Sequence, residues 1–262
     1  MGNRDSLGNR MKEYYESIPK TKLMRRTPVA IRIDGRSFHT FTRGFKKPFD
    51  NILRKSMEET MLYLCKNIQG CVLGYHQSDE ITLILIDYKT LESDAWFDYE
   101  VQKLCSIAAS MATIKFNQIF SQKVYDYVIS MEEENNLEEK DYCGILTRAV
   151  FTGAQFDARC FNIPREEVCN LIYWRQLDAI RNSIQMVGQA NFSHKQLQNK
   201  NCTEIKAMLM AEKGIDWNDF PTYNKRGSCC VRREDWIIDN NIPIFKGADR
   251  DYVENLIQQE EF

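Results

Sequence analysis

The stretch that decides the fold is residues 72–86, which read VLGYHQSDEITLILI. Two apolar runs, at 72–75 and 81–86, flank a polar knot at 76–80, which is the pattern of a β-hairpin with a tight turn. Upstream, residues 29–34 read VAIRID and have apolar side chains at alternate positions, so they are predicted to form a further strand. Each unit therefore places an acidic turn beside an apolar strand.

Helical patterns lie on either side of the hairpin. Residues 49–68 and 95–121 have apolar side chains at helical spacing, whereas residues 149–151 and 158–163 are typical of strands. The order strand, helix, hairpin, helix, strand is the βαββαβ unit of ferredoxin-like folds. We therefore predict an α/β (α+β) fold whose antiparallel sheet carries helices on one face and leaves the other face open.

The rest of the chain flanks this core. We predict a basic N-terminal segment, the βαββαβ core and a mainly helical extension that works with the core, at residues 1–27, 28–163 and 164–262. The smaller predicted elements are a helical stretch within 8–27, an acidic loop at 132–141, helices from Pro164 to Asn182 and at 194–213, and a short basic strand or hairpin at 223–233.

Composition excludes several classes of protein. The chain has 262 residues and a net charge of −2. No run approaches the roughly 18 consecutive apolar residues of a membrane span, so a transmembrane helix is excluded. Residues 1–30 contain no apolar signal region, so we expect no signal peptide. Nine cysteines, an odd number, and three histidines argue against a disulfide framework and a zinc site. We expect reduced thiols, a cytoplasmic location and no membrane partner.

Two carboxylates form the strongest candidate site. Asp34 ends the first predicted strand and Asp79 lies in the hairpin turn. In a βαββαβ sheet these strands are neighbours, so the two side chains are expected close together. Hard oxygen ligands plus substrate phosphates are what Mg²⁺ prefers, and two such ions act in phosphoryl transfer. Asp34-Gly35 alone is also typical of a simple turn, but its pairing with Ser78-Asp79 favours the metal site.

Basic residues surround the first of these carboxylates. Between residues 19 and 47 Asp34 is the only acid, which is an electrostatic footprint for polyphosphate or nucleic acid. The basic residues are Lys20, Lys22, Arg25, Arg26, Arg32, Arg36, Arg43, Lys46 and Lys47. Phe38, Phe41 and Phe45 are interleaved and fit either base stacking or a buried core. A second basic cluster, Lys225-Arg226 with Arg232-Arg233, fits either phosphate binding or solvent exposure.

Four short blocks occur along the chain in a fixed order. They read RIDGRSFH at 32–39 with KP at 47–48, GYHQSDE at 74–80, WRQ at 174–176 with Asp178 and Asn182, and KRGS at 225–228. Each block alone is weak evidence. Together they are similar to the signature of the tRNA-histidine guanylyltransferase superfamily.

This resemblance implies a polymerase-like palm at residues 28–163 and nucleotide addition in the 3′–5′ direction. The 3′-hydroxyl of an incoming nucleotide attacks a tRNA 5′ end that ATP or GTP has activated, and pyrophosphate or AMP leaves. By the same resemblance Asp34 and Asp79 are the catalytic carboxylates. Together with the Gly35 backbone carbonyl they hold two Mg²⁺ ions, while Glu80 is structural.

The resemblance also implies binding residues and partners. Lys47 contacts the triphosphate, and the nucleotide-binding set is Asp34, Gly35, Arg36, Ser37, Phe38, His39, Lys47, Ser78 and Asp79. Further RNA or phosphate contacts are expected at Arg25, Arg26, Lys103, Asn182, Lys225 and Arg226. The implied partners are tRNA and nucleoside triphosphates, and the implied assembly is a homotetramer.

One departure from the signature bears on the substrate. Eukaryotic members specific for tRNA-histidine carry His-Ile-Asn-Asn where this chain has Ile180-Arg181-Asn182-Ser183. The chain therefore resembles more the bacterial and archaeal guanylyltransferase-like branch, which repairs 5′-truncated tRNAs against the opposite strand as template. Two alternatives stay open: a strictly tRNA-histidine-specific guanylyltransferase, and a non-catalytic RNA-binding protein on a palm fold.

Overall fold

The centre of the molecule is a six-stranded antiparallel sheet. The computed structural model describes residues 6–131 and 137–259. The strands are β1 (Val29–Gly35), β2 (Cys71–Gln77), β3 (Glu80–Leu85), β4 (Phe156–Asn162), β5 (Ser228–Arg232) and β6 (Trp236–Asp239). They lie in the order β4-β1-β3-β2-β5-β6. The first four positions have the arrangement of a βαββαβ unit, which confirms the predicted fold class, and β5 and β6 extend the sheet beyond β2.

Ten α-helices are present in the described ranges. They are α1 (Ser6–Met11), α2 (Phe38–Phe41), α3 (Asn51–Asn67), α4 (Val101–Ser130), α5 (Leu137–Thr152), α6 (Val168–Asn191), α7 (His194–Leu197), α8 (Cys202–Met208), α9 (Thr222–Arg226) and α10 (Asp251–Glu254). Short π-helical turns continue α1 at Lys12–Glu16 and α8 at Leu209–Lys213. No helix among the described residues is long and apolar enough to span a bilayer.

Helices α3 and α4 cover one face of the sheet. Ile31 and Ile33 project from β1 into this core, since side chains two apart share a face. Helix α4 approaches closely because small residues such as Ala108 and Ala112 lie on its buried stripe. The rings of Phe38, Phe41 and Phe45 belong to the same core. Of the two roles considered for them, base stacking and core packing, the structure shows core packing.

The prediction that the other face is open is wrong. Helix α6 and the C-terminal segment cover it, packing against Ala30, Leu73, Tyr75 and Ile84. The physical reason lies in the hairpin itself. Residues 81–86 form a continuous apolar run rather than an alternating one, so both faces of β3 require a partner. The extension therefore completes the core of the sheet.

Two further local predictions are wrong. Residues 149–151, predicted as strand, end α5, whose buried side chains Tyr142, Leu146 and Ala149 follow helical spacing. The acidic loop predicted at 132–141 is helical from Leu137 onward, and its residues 132–136 lie outside the described part. In the basic segment predicted as strand or hairpin, a helical turn at Thr222–Arg226 precedes the β5–β6 hairpin.

Candidate active site

The fold brings Asp34 and Asp79 to one edge of the sheet. Strand β1 pairs with β3 so that Asp34 lies opposite Glu80, the residue that follows Asp79. The Gly35 amide donates a hydrogen bond of 3.1 Å to the Asp79 carbonyl. This bond ties the end of β1 directly to the hairpin turn, and both aspartates are half-buried there.

The electrostatics of this edge fit a bound cation. Burial raises the pKa of Asp34, and the charges of Glu80 and Asp157 raise it further. Burial also raises the pKa of Asp79, followed by the charge of Asp34. In the described ranges no group of three or more His, Cys, Asp or Glu residues forms a metal-binding set. Mg²⁺ commonly takes one or two carboxylates and completes its shell with water and substrate phosphates, so a pair of aspartates is a suitable donor set.

Two serines beside the aspartates have strained backbones. Ser37 and Ser78 both have φ of +53°, in the left-handed region that residues other than glycine rarely adopt. Such conformations persist where the surrounding structure enforces them, and they cluster at functional sites. Gly35 is required by packing as well, because a Cβ there would lie 2.2 Å from the Phe38 ring.

A cleft of about 550 Å³ opens beside Asp79. Most of the predicted nucleotide-binding residues line it, namely Gly35, Ser37, Phe38, His39, Lys47, Ser78 and Asp79. Phe38 is buried, so it contributes to the wall of the cleft from within the core. Asp34 is adjacent to the cleft, and Arg36 lies apart, with its guanidinium donating to Gln155 at 2.8 Å.

Lys46 and Lys47 both line the cleft, but their side chains differ in the contacts that hold them. Lys46 donates to Glu139 at 2.8 Å and to the Tyr127 hydroxyl at 2.9 Å, and it lies over the Tyr142 ring. Lys47 is exposed at the cleft wall. Asp50 caps α3, because its side chain accepts hydrogen bonds from the backbone amides of Ile52 and Leu53. Lys47 therefore lies in the chain between Lys46, whose side chain is held by its contacts, and the capped first turn of α3.

Glu80 is held by an ion network instead of facing the cleft. Its carboxylate accepts two hydrogen bonds from Arg175 of α6, at 2.7 and 2.9 Å, and one from Arg32 at 2.6 Å. Arg175 also donates to Asp178 at 2.8 Å. Glu80 therefore has a structural role: its contacts with Arg175 and Arg32 hold α6 of the extension against the sheet, next to the aspartate pair.

A second cleft, of about 90 Å³, adjoins the first, and the two share Asp50, Leu53, Ser78 and Met186. Asn182 of α6, predicted to contact nucleotide or RNA, lies in this second cleft. Arg54, which stacks 4.1 Å over the Tyr223 ring, and His76 are lining residues that the sequence analysis did not assign. Arg54 carries no motif signal, whereas His76 stands inside the GYHQSDE block.

The other predicted RNA-contact residues lie away from the aspartates. The Arg25 side chain pairs with Asp87, Asp94 and Asp98, while Arg26 is exposed and its backbone amide bonds to Asp87. The remaining placements are Lys103 beside Glu100 at 3.5 Å, Lys225 donating to the Asn218 carbonyl, and Arg226 donating to the Ile242 carbonyl at 3.2 Å. Arg25 thus serves to attach the N-terminal segment to the sheet.

Comparisons with known proteins show the family to which the chain belongs. The family model of tRNAHis guanylyltransferase (Thg1) matches residues 8–164. A bacterial tRNA(His) guanylyltransferase (Thg1)-like protein in complex with ATP is 43% identical, with a TM-score of 0.82, over 96% of this chain and 99% of that chain. A corresponding structure in complex with GTP is 37% identical, with a TM-score of 0.74. The tRNA(His) guanylyltransferase of Saccharomyces cerevisiae is 25% identical over 78% of this chain and 82% of that protein. The chain belongs to the tRNAHis guanylyltransferase (Thg1) family of nucleotidyltransferases.

Proposed function

We propose that this protein is a template-dependent 3′–5′ nucleotidyltransferase that adds nucleotides to the 5′ end of tRNA. The observation that carries the proposal is the Asp34–Asp79 pair, whose mutual repulsion a cation relieves, beside a cleft with the exposed Lys47. The bacterial relatives solved with ATP and with GTP support nucleoside triphosphates as substrates. The name of the family supports tRNA as the acceptor.

The residues of the first cleft have distinct roles in this proposal. Asp34, the Gly35 carbonyl and Asp79 hold two Mg²⁺ ions, and Lys47 binds the triphosphate of the incoming nucleotide. Mg²⁺ bound there lowers the pKa of an attacking hydroxyl and neutralises charge on the phosphoryl group. A protein general base is then not required. Ser37, Phe38, His39 and Ser78 further line the nucleotide, and Arg36, which does not line the cleft and is bonded to Gln155, is the remaining member of the proposed set.

Two observations support the proposed RNA substrate. Ile180 replaces the histidine of the tRNA-histidine-specific members, and identity to the bacterial Thg1-like structures exceeds identity to the yeast enzyme. Both support repair of 5′-truncated tRNAs by pairing with the opposite strand. Addition of the extra 5′ guanylate to tRNA-histidine is then one case of the same reaction. We place the reaction in the cytoplasm.

The test is nucleotide addition to two labelled substrates with Mg²⁺, ATP and all four nucleotides. One is a tRNA that lacks its 5′ nucleotide, prepared with each base in turn opposite the gap. The other is full-length tRNA-histidine without its extra guanylate. Addition that follows Watson–Crick pairing on the first set supports repair. Addition of guanylate to tRNA-histidine alone supports the strictly specific enzyme, and binding without addition supports the RNA-binding alternative.

The proposal includes assembly into a homotetramer. Apolar side chains left exposed on α4, among them Ile107 at 39% and Ile114 at 57% exposure, support contacts between copies. Multi-angle light scattering of the purified chain tests this directly. A mass four times that of one chain is expected, and a monomer at all concentrations would contradict it.

A further inference from the structure

His76 connects the hairpin turn to the C-terminal extension. It lies on β2 directly opposite Ser228 of β5 and is only 4% exposed. Its Nε2 lies 3.0 Å from the Ser78 carbonyl, and its Nδ1 lies 3.4 Å from the Ser228 hydroxyl. Because a carbonyl only accepts hydrogen bonds, the network assigns the ring proton to Nε2. Burial lowers the pKa of His76 to about 4, so the ring is neutral near pH 7.

The turn that His76 contacts depends on support from outside. Ser78 has φ of +53°, a conformation that is sparsely populated for serine and that needs its surroundings to enforce it. Two hydrogen bonds hold carbonyls of the turn: the one from His76 to Ser78, and the 3.1 Å bond from the Gly35 amide to Asp79. The first fixes the turn from the side of β2 and the second from the side of β1. Both bonds hold the backbone that carries Asp79, whose carboxylate also interacts with the Ser78 side chain and with its own backbone.

Residues 226–228 pack against the β2 backbone at His76. Gly227 has φ of +84°, and a Cβ on it would lie 2.3 Å from the His76 carbonyl oxygen. The Tyr75 hydroxyl donates to the Arg226 carbonyl at 2.7 Å. Backbone fit rather than charge therefore holds this part of the KRGS block against β2, and it places Ser228 beside the imidazole.

We propose that His76 is a positioning residue for Asp79, and that through the Ser78 carbonyl it makes the conformation of the hairpin turn depend on the seating of segment 226–228. The inference rests on the proposed function of the Asp34–Asp79 pair. It gives the extension a part in building the metal site, although the extension supplies none of the proposed ligands.

The experiment compares His76→Phe, which removes the donor, with His76→Gln, which keeps an N–H near the position of Nε2. Two quantities are measured: the Mg²⁺ concentration for half-maximal nucleotide addition, and Mn²⁺ binding in the presence of GTP by electron paramagnetic resonance. His76→Phe is expected to weaken both by about tenfold or more, as for other groups that orient metal ligands. His76→Gln is expected to stay near wild type.

Tyr88→Phe is the matched control, because it removes a buried tyrosine hydroxyl bond, to the Ile257 carbonyl at 2.9 Å, that involves neither the turn nor segment 226–228. It is expected to lower the melting temperature and leave Mn²⁺ binding unchanged.

Unchanged Mn²⁺ binding in a folded His76→Phe protein would overturn the inference and leave the proposed function intact. A wild-type protein that neither binds Mn²⁺ with GTP nor adds nucleotides would instead overturn the proposed function. If His76→Phe does not fold, His76→Asn takes its place, since its amide reaches the Nδ1 position and not the Nε2 position. Equal Mn²⁺ affinities of the Asn and Gln variants would then contradict the positioning role.

Discussion

Asp79 and Glu80 are neighbours in the chain, yet their carboxylates lie in opposite environments. Glu80 is 5% exposed and accepts hydrogen bonds from both Arg175 and Arg32. Asp79 is half-buried, and burial, followed by the nearby charge of Asp34, raises its pKa. The protein compensates the charge of Glu80, whereas Asp79 is the carboxylate to which we assign the proposed cation. Two adjacent residues at the start of β3 therefore differ in role: Glu80 is a structural acid, and Asp79 is the acid that we propose to be functional.

The largest expected effect is on the functional acid. Asp79→Asn removes a proposed metal ligand, so nucleotide addition should fall to the level of the no-enzyme control. The same change removes a repelling charge, so the melting temperature without Mg²⁺ should rise. Turnover assays and thermal melts measure the two effects. Because Asn has nearly the same shape as Asp, the variant changes the charge and leaves the packing as it is. Activity retained by the variant would refute the assignment of Asp79.

The structural acid is tested through its partner. Arg175→Leu leaves Glu80 with Arg32 alone in a buried site, and breaking such a pair costs about 3–5 kcal/mol of the free energy of unfolding. Urea unfolding measures this loss. Lys66→Ala is the control, because the Lys66–Asp235 pair is exposed and such pairs contribute about 0–1 kcal/mol. Equal losses in the two variants would show that the Glu80 network does not lock α6 to the sheet.

The comparison extends to the two lysines of the cleft. Lys47→Ala should raise the KM for GTP by about tenfold, because a lysine–phosphate contact is a charge-assisted hydrogen bond. Lys46→Ala, in contrast, removes the contacts to Glu139 and Tyr127 and should mainly lower the free energy of unfolding. Steady-state kinetics and urea unfolding of both variants distinguish these outcomes. A larger KM change for Lys46→Ala would reverse the assignment.

The smallest expected effect is the pH dependence of the aspartate pair. The pKa values of Asp34 and Asp79 are raised in the folded protein. Their ionisation therefore costs stability as the pH rises through the raised values, and the cost vanishes below about pH 4, the ordinary value of an aspartate. The gain in melting temperature from Asp79→Asn should be greatest near pH 7 and disappear in acid. A gain independent of pH would point to packing instead of charge.

The sequence predicted the parts of the fold that depend on local pattern. Period-two alternation identified β1, and the polar knot identified the β2–β3 hairpin, because both signals lie within a few residues. Residues 149–151 were misassigned because the apolar pair Val150-Phe151 looks like strand material, although Phe151 is 86% exposed on α5. The covered second face of the sheet needed the docking of α6, which no local pattern specifies.

In the candidate site too, some features follow from local sequence patterns and others depend on contacts between distant segments. Asp34 and Asp79 could be predicted because each ends an apolar strand and the βαββαβ topology makes those strands neighbours. The contacts of Glu80 with Arg175 and of His76 with Ser228 join residues 95 and 152 positions apart. Arg175 and Ser228 belong to the WRQ and KRGS blocks, but no local pattern says which distant residue each contacts, so only the folded structure shows these pairs beside the aspartates.

The most direct test of the account is nucleotide addition to a tRNA lacking its 5′ nucleotide, with wild type and Asp79→Asn assayed in parallel against each of the four opposing bases. The account predicts that wild type adds the complementary nucleotide in each case and that Asp79→Asn adds none while still binding the RNA. Addition that ignores the opposing base, or equal addition by the two proteins, would contradict it.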